Sequence, residues 1–248
     1  MHETIGLLAA IAAAFMLAGF VKGVIGLGLP TVSIGLLGLL MTPAQAAAIL
    51  LLPSLVTNVW QGAHGGGFRA LLRRLGPILI GICIGTFIGA VLLPSGNSGE
   101  ATTWLGAALA IYAALGLFRI HFSVPPRAES GLGPVIGVLT GAITISTGLF
   151  AIPVVPYVQS LHFDRDKLVQ ALGLSFTTST VTLALALAYA GDLHVRLALP
   201  SVVALVAALV GMPLGRFVRG KVQPETFRMW FFAGLLLLGL HLALRHVW

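Results

Sequence analysis

Long stretches of this chain run without a single charge. Thr4 to Val21, Leu75 to Leu93 and Leu197 to Gly215 hold no Asp, Glu, Lys or Arg. A helix of about 20 mostly apolar residues crosses the hydrocarbon core of a bilayer. A soluble globule cannot hide several such runs, whereas a membrane accepts them. Composition agrees: 8% of the residues are charged and 58% hydrophobic, with mean hydropathy +1.03. Soluble domains carry about 25% charged residues. An ordinary soluble enzyme, a disordered chain and a nucleic-acid module are therefore excluded. The expected class is an all-α polytopic membrane protein.

Charge, Pro and Gly clusters divide the chain into ten apolar elements. They run about Thr4–Lys22, Thr31–Leu40, Ala44–Gln61, Leu75–Leu93 and Ala101–Phe118, then Leu132–Ile145, Leu149–Ser160, Lys167–Ala190, Leu197–Gly215 and Phe227–Leu244. The first lacks a basic leader, since only His2 and Glu3 precede it, and reads as a retained helix rather than a signal peptide. A basic loop carries His64, Gly65–Gly66–Gly67, Arg69, Arg73 and Arg74, and Pro94–Gly99 forms a turn. The triple glycine is followed by no GK[ST], so it is not a phosphate-binding loop. Two elements are short, and each follows a break: Gly23–Pro30 and Thr144–Gly148.

The net charge of +7 has a topological reading. Lys22, Arg69, Arg73, Arg74, Arg119, Arg127, Arg165, Lys167, Arg216, Arg219, Lys221 and Arg228 fall on one side, and Arg196 and Arg245 on the other. Lysine and arginine collect on the cytoplasmic side of a membrane protein. Twelve against two predicts an inner-membrane protein with both termini outside. Trp60, Trp104, Trp230 and Trp248 then fall near the interfaces, as an aromatic belt would.

The two halves repeat the same order: long, break, short, long, long, long. Gly23–Pro30 is set against Gly141–Gly148, Thr42–Gln45 against Phe163–Asp166, and Ala48–Asn58 against Val169–Ser179. Each half holds an odd number of crossings, so the halves are expected to be inverted relative to each other. The predicted architecture is a first membrane repeat over 1–120, a cytoplasmic linker over 121–130 and a second repeat over 131–248. Each repeat has about five helical elements, and broken or re-entrant helices leave eight to ten membrane segments. Inverted repeats with discontinuous helices point to a secondary transporter with its site near the midplane.

The acidic residues Glu3, Glu100, Glu129, Asp164, Asp166, Asp192 and Glu225 all fall in loops or at helix ends. A carboxylate-coupled cation pump and an acid–base hydrolase both lose their usual groups. No HExxH occurs, and the scattered histidines show no metal-ligand spacing. No metal, cofactor, catalytic set or nucleic-acid partner is expected. Cys83 is the single cysteine and reads as a small core hydrophobe.

The polar residues at the breaks carry what chemistry there is. Lys22 has two readings: a side chain snorkelling to the surface, or an anion contact beside a broken helix, where Gly23, Gly26 and Gly28 permit irregular backbone and free N–H groups. Thr57, Asn58 and Gln61 line the third element, with Asn58 and Gln61 on one helical face. Thr144, Ser146 and Thr147 sit at the second break, and Thr177 to Thr180, including Thr178 and Ser179, in the eighth element. Any one hydroxyl can instead bond its own backbone or glue helices. These residues form the expected substrate site. Uncharged donors beside helix ends suit an oxyanion. Gly81, Gly85 and Gly89 form a small-residue face fit for internal packing or a homodimer.

The segments Gly19-Phe-Val-Lys22-Gly23-Val-Ile-Gly26-Leu-Gly28-Leu-Pro30 and Met41-Thr-Pro43-Ala44-Gln-Ala-Ala resemble the TauE/SafE family, the sulfite exporters also called TSUP. The likeness covers nearly the whole chain. Two features depart from the family pattern. The first break lacks a run of three glycines, and the second, Thr144-Ile-Ser146-Thr147-Gly148, has few. The resemblance implies transport of small sulfur-containing anions such as sulfite or sulfonates, probed against two rivals: an anion channel and a membrane scaffold subunit.

Overall fold

The computed structural model describes residues 2–63, 66–92, 98–118 and 123–245. His64, Gly65, most of the Pro94–Gly99 turn, Arg119, His121, His246 and Trp248 lie outside the described residues. The described residues form ten α-helices: α1 His2–Ile25, α2 Leu29–Leu37, α3 Pro43–Ala63, α4 Phe68–Leu92, α5 Ser98–Leu117, α6 Pro126–Thr147, α7 Val154–Ser160, α8 Arg165–Ala190, α9 Ala198–Arg219 and α10 Pro224–Leu244. One 3₁₀ turn, Val195–Leu197, precedes α9. No strand occurs among the described residues.

Eight of these helices are long and apolar enough to cross a membrane. The other two, α2 and α7, have 9 and 7 residues. At about 1.5 Å per residue neither can cross a core about 30 Å thick. The chain is thus a multi-pass membrane protein with two short internal helices.

Several helices outrun the apolar segments that announce them. α4 begins at Phe68 rather than Leu75 and takes Arg69, Arg73 and Arg74 into its first turns. α6 begins at Pro126 rather than Leu132, so residues 126–130 of the expected linker are helical. Long basic side chains reach water from a helix end, and proline suits a first turn, so neither stops the helix. Acidic residues follow the opposite logic. Glu100, Glu129, Asp166 and Glu225 all lie in first turns, where the helix dipole favours negative charge. Asp164 caps α8 by accepting from the Lys167 N–H at 2.9 Å, and that bond holds its carboxyl below the usual range.

Small residues set the packing. Gly19 and Gly23 of α1 press on Ala208 and Met212–Gly215 of α9, while Gly211 and Gly215 press back on Met16 and Phe20. Sequence position rises together on both helices, so α1 and α9 run parallel. Gly81 and Gly85 of α4 meet Pro134 and Val138 of α6 in the same parallel sense. A side chain at Gly85 or Gly215 would collide with a carbonyl oxygen of the partner, which is why these positions are glycine. The Gly81–Gly85–Gly89 face therefore serves packing inside the chain, and Ile80, Ile84, Ile88 and Val91 cover the outer face of the same helix.

Two further pairs run antiparallel. Ser54 of α3 faces Thr180 of α8 while Gly62 faces Gly173 and Leu174. Gly106 of α5 faces Gly239 and Ala243 of α10, and Gly116 faces Phe232. Exchanging the halves carries α1–α9 onto α6–α4 and returns α3–α8 and α5–α10 to themselves. The register agrees as well. Met16 against Gly211 matches Val138 against Gly85, and Gly148 stands as far beyond Val138 as Gly26 beyond Met16. Thr42 and Asp164, which cap α3 and α8, keep that same spacing.

α3 and α8 lie at the centre and are the most buried of the eight long helices. At the end that carries most arginines, Arg74 grips Glu129 with two bonds of 2.8 and 2.6 Å. Arg74 also donates to the Leu161 carbonyl at 3.1 Å, and Tyr157 donates to that of Glu129 at 3.1 Å. This clamp ties α4, α6 and α7 together.

Candidate functional site

Each long helix that precedes a break ends on a glycine in the left-handed region. After α1, Gly26 has φ +82° and Gly28 φ +108°. After α6, Gly148 has φ +73°. Gly26 N–H closes on the Lys22 carbonyl at 2.8 Å, and Gly148 N–H on the Thr144 carbonyl at 2.7 Å. Matching the two halves at these helix ends sets Lys22 against Thr144. The sequence comparison set Gly26, not Lys22, against Thr144. It matched a glycine-rich run to a hydroxyl-rich run, and the two matchings differ by one helical turn.

Lys22 does not snorkel. It is 3% exposed, and its ammonium donates to Thr57 Oγ1 at 2.9 Å and Asn58 Oδ1 at 2.5 Å. Asn58 Nδ2 donates to Ser54 Oγ at 2.8 Å, and Ser54 lies 3.0 Å from Thr180 Oγ1. Thr180 donates to the Phe176 carbonyl at 2.7 Å. Taken with those donors, Ser54 gives its proton to Thr180. A directed chain of donors thus runs from α1 through α3 to α8. Thr57 is spent in the same way, accepting from Lys22 and donating to the Pro53 carbonyl at 2.8 Å.

An ammonium has three donors, and two are used. No acidic residue pairs with Lys22 among the described residues, whose ion pairs are Arg74–Glu129 and Lys167–Asp164. Taking an unpaired cation out of water costs several kcal/mol.

The Lys22 cluster lies level with the middle of α8. Ser54 is level with Thr180, and Gly62 with Gly173, so Thr57 and Asn58 are level with the middle of α8. Lys22, Ser54, Thr57 and Asn58 are all buried, so this conformation closes the site to both sides. Gln61 shares the Asn58 face as expected and donates to the Gly26 carbonyl at 3.0 Å, tying the first break to α3.

The other expected residues divide. Gly26 and Gly28 shape the first break, while Gly23 faces α9 and serves packing. Thr144, Ser146 and Thr147 donate to the carbonyls of Thr140, Ala142 and Ile143 in their own helix. Thr178 likewise bonds Leu174 O, at 3.1 Å. Ser179 is fully buried, and among the described residues neither its hydroxyl nor Gln170 Oε1 has a hydrogen-bond partner. Ser54 was not singled out in the sequence, although it lies one turn before Asn58 and the donor chain runs through it. Cys83 is half buried on α4. No group of His, Cys, Asp or Glu among the described residues is arranged to hold a metal.

Residues 11–242 match the family described as Sulfite exporter TauE/SafE, and the chain belongs to that family, which is one of transporters. Neither curated proteins nor solved structures gave a match.

Proposed function

We propose that this TauE/SafE member exports a small sulfur-containing oxyanion, such as sulfite or a sulfonate, across the inner membrane by alternating access. The observation that carries this reading is Lys22: a buried ammonium level with the middle of α8 with a free donor, held by Thr57 and Asn58 and by no acid. An oxyanion supplies both the countercharge and an acceptor for that donor. The exchange of helix pairs between the halves supports two inverted repeats. In this reading they rock about the α3–α8 crossing and open the site to each side in turn. The arginine-rich end faces the cytoplasm and both termini face outside. A negative-inside potential favours anion exit by about 2.3 kcal/mol per charge per 100 mV, so export needs no acid-based coupling.

The empty site keeps its lysine, so a bound anion should speed the return of the carrier. The test is counterflow: purified protein in vesicles loaded with sulfite takes up labelled sulfite against its gradient. Counterflow that saturates, and that is lost in Lys22→Met, is the expected result. Flux without counterflow would make the chain a channel. Neither flux nor binding of any small anion would leave a scaffold.

A further inference from the structure

Between the first break and the arginine-rich end lies a cavity of about 290 Å³. Its inner wall includes Val24, Ile25 and Leu27, the residues that follow Lys22 into the break. Around it stand Arg165 from the first turn of α8, Arg219 from the end of α9 and Arg228 from the second turn of α10. No Asp or Glu lines this cavity; Glu225, near Arg228 in sequence, lines an adjoining one. Among the described residues none of the three arginines forms an ion pair. Arg228 donates to the Gly116 carbonyl at 3.3 Å.

Three guanidinium groups around one hollow repel one another and make its potential strongly positive. Arg165 and Arg228 also lie near helix N-termini, where a cation is disfavoured. The matching position to Arg165 in the first half is Pro43, so the opposite end of the molecule lacks this charge. Guanidinium forks bind oxyanions in pairs of parallel bonds and are less strongly hydrated than ammonium groups.

We propose that this hollow is a second oxyanion site, a vestibule that gathers sulfite or a sulfonate and delivers it along Val24–Leu27 to Lys22. The proposal rests on the transport reading above and adds a site to it. The anion is captured at the arginines in partial contact with water and moves inward past the break. Its attraction weakens with salt, because the hollow is open to solvent.

The test separates the two sites with sulfite as the probe. Lys22→Met protein should still be stabilised by sulfite, and Arg165→Gln with Arg219→Gln in that background should abolish the shift. In the chain with native Lys22, the double arginine variant should raise the KM for sulfite about tenfold with Vmax within twofold. Its KM should lose the salt dependence of the native protein, and Arg165→Lys with Arg219→Lys should restore most of the affinity. Loss of all sulfite binding in Lys22→Met, or an unchanged KM in the double variant, overturns the vestibule. Nanodiscs separate a lipid source. Stabilisation by sulfite in phosphatidylcholine alone supports the proposal; stabilisation only by phosphatidylglycerol overturns it. Full transport by Lys22→Met would instead overturn the central site and leave the arginine result to be read by itself.

Discussion

At the first break, Lys22 leaves its helix and bonds two side chains of α3. At the second, Thr140, Thr144, Ser146 and Thr147 all turn back onto carbonyls of their own helix. Both breaks close on a left-handed glycine, and both follow helices packed in the same parallel register. The difference lies in what each side chain can reach. A threonine hydroxyl satisfies itself on the carbonyl one turn back. An ammonium with three donors finds no such local solution and must bridge to a neighbour. The surroundings follow suit. Where the first half has Gly28 and Ser54, the second has Phe150 and Phe176, whose rings pack edge to face at 5.3 Å between centroids. Polar letters at a break are therefore a poor guide to a binding site. Length and charge are better ones.

The sharpest way to break this comparison is Lys22→Met. Loss of a charged contact made at a desolvated site costs about 2–5 kcal/mol, or about 30- to 5,000-fold in affinity. Sulfite counterflow should fall by at least about 30-fold. Folding should survive, because replacing a buried, unpaired cation with an apolar chain of similar length relieves desolvation. Size-exclusion and thermal unfolding check that the loss is not collapse. Counterflow at the native rate would dissolve the distinction between the two breaks.

Asn58→Ala comes next. It removes one Lys22 acceptor and the donor to Ser54. Unmatched buried groups cost about 1–3 kcal/mol. Both the melting temperature and sulfite affinity should drop, the latter about tenfold. An unchanged affinity with lowered stability would reduce Asn58 to helix glue.

The terminating glycines sharpen the comparison on the packing side. A Cβ at Gly26 has only Val169 Cγ2 nearby, at 4.0 Å, whereas at Gly148 it would stand 2.8 Å from Ala47 Cβ and 2.9 Å from Ile34 Cδ1. Gly26→Ala should cost about 1 kcal/mol for left-handed backbone alone. Gly148→Ala should cost about 2–3 kcal/mol, since overpacking adds to it. Equal losses in thermal or denaturant unfolding would contradict the tighter second break.

Much of this was legible in the sequence. Charge-free runs announce the membrane class, and the order of breaks announces the two short helices among eight long ones, because both depend on local composition. Helix ends were less legible. Arg69 and Arg127 look like loop residues, yet a helix end at the interface tolerates them. The contacts of the candidate site were half legible. Lys22, Thr57, Asn58 and Gln61 come together as expected, since a lone cation and a lone amide in apolar runs need partners. Thr144, Ser146, Thr147 and Thr178 stay on their own helices, and no local pattern tells a hydroxyl that reaches across from one that folds back. That choice depends on which neighbour lies opposite, and Ser54 shows the converse: an ordinary serine that matters because Thr180 faces it.

The smallest effects probe the second half directly. Thr144, set against Lys22 by the helix ends, turns its hydroxyl onto Thr140 O at 2.7 Å. Thr144→Val keeps the shape and removes a hydroxyl whose carbonyl partner also serves the helix ladder. Stability should change by no more than about 1 kcal/mol, and sulfite KM by less than threefold. Ser179 holds the place of Thr57, and its hydroxyl has no cation to accept from. A buried hydroxyl without a partner is a net cost, so Ser179→Ala should raise stability by up to about 1 kcal/mol. The same change would be destabilising if Ser179 bonded the anion in the bound state, and then only with sulfite present. Unfolding with and without sulfite therefore decides whether the second half touches the cargo: a gain in both conditions keeps the site on the Lys22 side, and a sulfite-dependent loss extends it across α8.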